Sequence, residues 1–130
     1  MSTETQSLPV YAPLELRLVM SGVQAMRRPR PVYRSLFRIS ICNTGNYPVR
    51  LHGRKWTLRE RNGNTRIIEA AGIFNEMPLL VPGAVFACSG TQEFDTPPVA
   101  MELRLFGVDE MGTPFISSPL RFPRSCFQHR

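Results

Sequence analysis

The chain has 130 residues, 42% of them hydrophobic, with 12 prolines, 9 glycines and a net charge of +6. The length fits one domain, the apolar content argues against a disordered chain, and the many prolines and glycines favour short strands over long helices. The apolar runs are too short to cross a bilayer, and the polar start does not resemble a secretory signal. The three cysteines lack CxxC spacing, which argues against a disulfide framework. Together these features indicate a cytoplasmic protein.

The first predicted strands follow a tail. Residues 1–13 show no periodicity and are predicted to form a flexible N-terminal tail. From Leu14 to Met20 apolar and polar residues alternate, with both of these residues on one face, which predicts a half-buried strand. The segment 26–31 contains two prolines and is predicted to be a basic loop, because proline cannot sit in a central ladder. Residues 33–43 alternate again and predict a second strand.

The third predicted strand contains the one tryptophan of the chain. The turn-forming residues 43–46 precede it, and the strand runs over 49–60. Its apolar phase slips by one residue at a glycine, which predicts a β-bulge with a bend near Gly53 and Arg54. An Asn-Gly pair within 61–64 then predicts a tight hairpin to the next strand.

The second half of the chain shows the same organisation. A short strand over 65–69, a long loop over 70–80 and a Pro-Gly turn at 81–83 lead to three further predicted strands, at 85–91, 101–105 and 115–122. Seven short strands without a helical period predict an all-β, seven-stranded antiparallel sandwich of the immunoglobulin or fibronectin type III kind, with a small barrel as the alternative. The predicted domain spans 14–122, and 123–130 is predicted to be a C-terminal tail.

Specific residues along these strands resemble the signature of the ApaG domain family. They are Phe37-x-Ile39-x-Ile41-x-Asn43-x-Gly45, Pro48-Val49-x-Leu51-x-Gly53-Arg54-x-Trp56, Gly72, Pro78, Pro82-Gly83, Phe86-x-Cys88-Ser89-Gly90, Thr96-Pro97 with Met101, and Gly112-x-Pro114-Phe115. The resemblance covers about 14–122 and implies a fibronectin- or immunoglobulin-like sandwich. Bacterial members of the family have a genetic link to cobalt and magnesium resistance. Eukaryotic members carry the domain in F-box and polymerase-interacting proteins, where it looks like a protein-interaction module, and no catalytic residue set comes with the family.

The long loop departs from the family pattern. Typical members carry G-x-G-x-x-G there, whereas the segment 70–75 keeps only Gly72. A phosphate cradle also needs a helix N-terminus whose free N–H groups meet the anion, and no helix is predicted after this segment. Nucleotide binding through this motif is therefore not favoured.

Two groups of residues are candidates for a binding site. Arg54 and Trp56 are either a recognition pair on an exposed sheet face or a core tryptophan beside an arginine that satisfies carbonyls freed by the bulge. The loop 70–80 is rich in apolar residues, among them Phe74 and Met77. Either this loop folds back to cap the sandwich or part of it is an exposed patch for a partner.

Positive charge is concentrated in the first half of the chain. Between Arg17 and Arg66 lie twelve of the sixteen basic residues and a single acid. The loop residues Arg27, Arg28 and Arg30 either hold phosphates or an acidic partner or are simply solvated. Nucleic-acid binding is not favoured, because few aromatic residues accompany the charges.

Catalysis and metal binding are not predicted. Cys42 and His52 flank one turn, but no third group orients the histidine, and the acids are too scattered for carboxylate chemistry or a metal site. We expect a non-enzymatic domain without a cofactor that binds a protein partner through the loop 70–80. The alternative is a module for phosphorylated or nucleotide-like anions, using Arg54 and the basic loop. An edge strand could also pair two copies of the chain.

Overall fold

The computed structural model describes residues 8–27, 29–73 and 75–128, which form two packed β-sheets. The strands are β1 (Val10–Tyr11), β2 (Leu14–Met26), β3 (Val32–Asn43), β4 (Val49–Glu60), β5 (Thr65–Ala71), β6 (Leu79–Leu80), β7 (Val85–Phe94), β8 (Pro98–Val108), β9 (Pro114–Ser117) and β10 (Leu120–Arg121), followed by a 3-10 helix (Arg124–Phe127). No helix in these three described ranges is long and apolar enough to span a membrane.

The smaller sheet has the order β2-β3-β7, and the larger has the order β1-β9-β8-β4-β5, with β10 beside β8 and β6 beside β4. All neighbouring strands are antiparallel except β1 and β9, which are parallel. The prediction of an all-β sandwich is confirmed. The strand count differs because the two-residue strands β1 and β6 are added to the seven predicted strands, and the last predicted strand is split into β9 and β10. Segments as short as two residues carry no periodicity.

The core lies between the sheets because each long strand turns alternate side chains inward. On β3, Phe37 and Ile39 are buried, and on β8, Leu103 and Leu105 face them from the larger sheet. Trp56 of β4 completes this layer. Apolar burial on both inner faces is what holds the two sheets together.

The predicted bulge in β4 is present. The register with β8 shifts between Leu51 and Gly53, so that Leu51 and Trp56 both face the core although they are five residues apart. A Cβ atom at Gly53 would lie 2.9 Å from the Ala70 carbonyl oxygen. The glycine is therefore required by the close approach of β5 at the bend.

Met20 was predicted to share the buried face of the first strand with Leu14, and this prediction is wrong. A bulge in β2 between Leu18 and Met20 shifts the register with β3, and the Met20 side chain is 56% exposed. One extra residue reverses the face of every later side chain in a strand. Val23 thus takes the inner position opposite Ser35.

The structure extends into both predicted tails. Tyr11 of β1 stacks against Phe115, with ring centroids 5.0 Å apart, and Phe127 of the 3-10 helix is buried. Each segment places an aromatic side chain against the core, and β1 also pairs with β9. Segments this short show no periodic pattern in the sequence. The predicted strand 115–122 is interrupted by Pro119, which separates β9 from β10.

Candidate functional site

The structure places Trp56 in the core, whereas Arg54 is half-buried in the middle of β4. Trp56 is 1% exposed, so its ring is not presented at the surface. The Arg54 Nη1 atom donates to the Ala71 carbonyl at 3.0 Å and to the Gly72 carbonyl at 2.8 Å. These contacts match the structural interpretation of the pair, in which the arginine satisfies carbonyl groups at the end of β5.

Gly72 has a backbone role in the loop that follows β5. Its φ is +76°, a left-handed conformation that favours glycine, and a Cβ atom there would lie 3.2 Å from the Glu76 carbonyl oxygen. Its amide donates to the His52 carbonyl at 2.6 Å. The glycine that remains from the family motif thus shapes a turn held against β4.

The loop 70–80 contains both a capping part and an exposed part. Ile73 and Leu80 are buried in the core, whereas Met77 and Leu79 are each 51% exposed. Backbone hydrogen bonds in both directions between Ile73 and Glu76 close a tight turn. The two interpretations of the loop therefore apply to different residues of it. Phe74, the other candidate in this loop, lies outside the described residues.

An exposed apolar surface surrounds the exposed part of the loop, and we call it the apolar rim. Its members are large hydrophobic side chains that are each between 51% and 60% exposed: Tyr47, Met77, Leu79, Val81 and Val85. They come from the β3–β4 turn, the loop with β6, and the start of β7. Such a concentration of exposed apolar groups marks interaction sites on soluble proteins.

Asn43 joins the three segments that carry the apolar rim. The side chain is fully buried, and its Nδ2 donates to the carbonyls of Tyr47 at 2.7 Å and Leu80 at 2.9 Å. The Asn43 backbone amide donates to the Ala84 carbonyl at 3.1 Å, and its carbonyl accepts from Gly83 at 2.7 Å. One residue at the end of β3 thus fixes the turn, β6 and the entry to β7 relative to one another.

The charges of the basic loop are partly neutralised by the edge of β7. Arg30 lies 3.3 Å from Asp95 and Arg34 lies 2.7 Å from Glu93, both as ion pairs that water reaches. Arg27 is exposed, and Arg28 lies outside the described residues. Exposed ion pairs of this kind contribute little energy, but they lower the net charge that the loop presents to a ligand.

Cys42 and His52 lie on strands of different sheets, β3 and β4, and no hydrogen bond joins them in the described part of the chain. Burial raises the pKa of the Cys88 thiol to about 11, so that this thiol stays protonated at neutral pH. Among the described residues, no group of three or more histidine, cysteine, aspartate or glutamate side chains is placed to hold a metal ion.

We expect Cys88 to react slowly with iodoacetamide in the folded protein. The rise of its pKa from 9.0 to about 11 lowers the thiolate fraction at pH 8 by about 100-fold. Peptide mapping by mass spectrometry should show that labelling of Cys88 accelerates in urea, and that in the native state it increases with pH up to about 11. Because the unfolded thiol ionises first, the same shift lowers native stability as the pH rises from 9.0 towards 11. Equal labelling rates in the folded and unfolded protein would contradict the expectation.

Sequence reasoning placed Met77 and Leu79 in the candidate loop but missed the other three members of the apolar rim. Tyr47 follows a turn, Val81 precedes a Pro-Gly pair, and Val85 starts a strand, so each has an ordinary local explanation. Their exposure depends on what packs against them from distant segments. The one available signal for this surface is Asn43. It is a polar residue in the phase of β3 that otherwise points apolar side chains into the core.

Comparison with known proteins finds a matching family model, similar sequences and similar structures. A family model described as the ApaG domain matches residues 24–104. The protein named ApaG from Methylococcus capsulatus is 29% identical over 106 residues, which is 79% of this chain and 84% of that protein. A crystal structure described as an ApaA protein from Bordetella pertussis has a TM-score of 0.68 and 24% identity, and it covers 88% of this chain and 94% of that one. An X-ray structure of a structural genomics target has a TM-score of 0.76 and 23% identity, covering 91% and 92%. The two structures share the fold of this chain.

Proposed function

The chain belongs to the ApaG domain family, and from that membership we propose that it is a non-enzymatic, cytoplasmic domain that binds a protein partner through the apolar rim. The observation that carries the proposal is the group of five large, half-exposed apolar side chains around β6. Removing such side chains from water is the main favourable term in protein association.

Rigidity supports the proposal. The backbone under the rim is held by the buried Asn43 amide and by the pairing of β6 with Val49 and Arg50 of β4. Arg50 also donates from Nη1 to the Met77 carbonyl at 2.9 Å. A surface that is already ordered loses less entropy on binding, so more of the burial energy appears as affinity.

The three cysteines support a reducing compartment. Cys42, Cys88 and Cys126 are all free thiols in the structure. Free, partly buried cysteines are usual in proteins of the cytoplasm, where thiols are kept reduced.

The contacts of the basic residues count against the alternative of an anion module at Arg54 and the basic loop. Arg54 already donates to two backbone carbonyls, and Arg30 and Arg34 already face carboxylates. A phosphate at this place would have to displace those contacts before it gained any of its own.

The change of Leu79 to glutamate tests the proposal directly. We expect Leu79→Glu to weaken partner capture from lysate of the protein's own host by at least about tenfold, because a charge is placed where an apolar contact is buried. Capture is measured by quantitative mass spectrometry on immobilised protein.

Ile67→Glu is the matched control, because Ile67 is 62% exposed on β5 and lies outside the apolar rim. It introduces the same charge and should retain the partners. Both variants should melt within a few degrees of wild type, since both side chains are exposed. Partners retained by Leu79→Glu, or lost equally from both variants, would refute the proposal.

A further inference from the structure

A second surface, distinct from the apolar rim, lies on the outer face of the larger sheet, and we call it the arginine groove. Its walls carry four exposed arginines: Arg59, Arg61, Arg121 and Arg124. Its floor is the first half of β8. The groove consists of two adjoining cavities of about 330 and 530 Å³, which share Arg59 and Arg124 and the floor residues Val99 and Ala100.

The fold gathers these arginines from distant parts of the chain. Arg59 lies on the outer face of β4, paired with Ala100 of β8, and the Arg61 amide donates to the Pro97 carbonyl at 2.8 Å. On the other side, Arg121 of β10 pairs with Glu102 of β8, and the 3-10 helix begins at Arg124. The two walls therefore meet only because β4 and β10 both flank β8.

The positive charge of the arginine groove is largely unneutralised. Glu102 is the one carboxylate among the described lining residues, and it accepts from Arg121 Nε at 2.9 Å and lies 3.7 Å from Arg104. Among the residues that the structure describes, Arg59, Arg61 and Arg124 form no side-chain hydrogen bond or ion pair. In this respect they differ from the arginines around the basic loop. Free guanidinium groups on two facing walls attract and orient an anionic partner.

The floor of the arginine groove is apolar from Pro98 to Met101 and ends at Glu102. Val99 is 40% exposed and Ala100 is exposed beside it, while Phe122 and Phe127 form the lower walls. A small inorganic anion would contact the guanidinium groups and leave this floor in water. An occupant that carries both carboxylates and an apolar side chain uses the whole surface.

We propose that the arginine groove binds an extended acidic peptide segment of a partner protein. The carboxylates contact the arginines of the two walls, and an apolar side chain between them covers Val99 and Ala100. The floor from Pro98 to Glu102 is about 13 Å long at the spacing of a strand, which accommodates four or five extended residues.

The arginine groove and the apolar rim are independent sites. The rim lies near Val49 at the start of β4 and the groove near Arg59 at its end, about 33 Å along the strand. One site can therefore fail its test while the other passes.

Fluorescence anisotropy with a labelled hexapeptide of four glutamates and two leucines tests the proposal. We expect saturable binding to the full chain that weakens as salt is raised, because exposed charge pairs are screened. The double variant Arg59→Glu/Arg124→Glu should weaken binding by at least about tenfold.

The matched control is Arg17→Glu/Arg38→Glu, which changes the net charge equally on exposed positions of the opposite sheet. It should weaken binding by less than about twofold if the groove is the site. Equal losses in the two double variants would show non-specific attraction and overturn the proposal, as would an absence of binding.

Two further probes separate the peptide from other anions. A peptide with glutamine in place of glutamate should not bind, and one with serine in place of leucine should bind more weakly than the original. Binding that is insensitive to both changes would be non-specific and would refute the peptide proposal. Binding that millimolar pyrophosphate abolishes while the leucines make no difference would assign the arginines to a phosphate ligand and would refute it as well.

Discussion

Replacement of Trp56 by alanine is expected to lower the free energy of unfolding by about 3–5 kcal/mol. The indole is the largest fully buried side chain and stands between the two sheets. Its ring centroid lies 5.1 Å from that of Phe37 on the smaller sheet and 5.8 Å from that of Phe122 beyond β10. Truncation would leave a cavity bordered by both aromatic rings, which the rigid sheets cannot close.

Trp56→Phe is the informative control for this prediction. Among the described residues, the Trp56 Nε1 atom has no hydrogen-bond acceptor, so loss of the indole N–H should cost little. We expect Trp56→Phe to be clearly less destabilising than Trp56→Ala. Urea unfolding should be followed by circular dichroism, because both variants remove the one tryptophan that fluorescence would report. A loss below about 1 kcal/mol in the alanine variant would contradict the packing argument.

Replacement of Asn43 by alanine is expected to lower the free energy of unfolding by about 2–4 kcal/mol. The buried amide donates to the Tyr47 and Leu80 carbonyls, and its Oδ1 accepts from the Gly45 amide at 3.0 Å. Alanine would leave these backbone groups unpaired inside the protein. The exposed Asn46→Ala in the same turn is the control and should change stability by less than about 0.5 kcal/mol.

The same variant should also loosen the apolar rim. We expect faster amide hydrogen exchange at β6 and the following turn in Asn43→Ala, and weaker partner capture although every rim side chain is present. Asn43→Asp should behave similarly, because a carboxylate oxygen would then face two carbonyl oxygens. Unchanged exchange at Leu80 would show that β6 is held by its pairing with β4 alone.

Much of the fold was predictable because its signals are local. Period-two alternation located the long strands, the Asn-Gly pair located the hairpin between β4 and β5, and Gly53 marked the bulge. The face of Met20 was not predictable. Its reversal follows from a bulge in β2 that no glycine marks, so neighbouring residues carried no sign of it.

The candidate surfaces were less predictable than the fold. Met77 was identified from the apolar composition of its loop. The same composition does not distinguish Leu79, which is exposed, from Ile73, which is buried in the core. For the arginines, the sequence showed a dense basic half. Arg124, which has no side-chain partner in the described structure, lies outside the basic half of the chain. Arg30 and Arg34 lie inside the basic half and are paired with carboxylates.

Strand positions, turns, the sandwich and family membership could all be read from residue order, since alternation and turn chemistry act between residues close in the chain. Exposure and charge pairing could not, because they depend on which segments the sheets bring side by side. β10 and the 3-10 helix bring Arg121 and Arg124 to face Arg59 across β8, and Asn43 draws Tyr47, Leu80 and Ala84 around one buried amide. Arg59 and Arg124, 65 positions apart in the chain, line one groove because β4, β8 and β10 lie side by side in the larger sheet. The hydrogen bond from Asn43 to Leu80 forms only because the two sheets pack together.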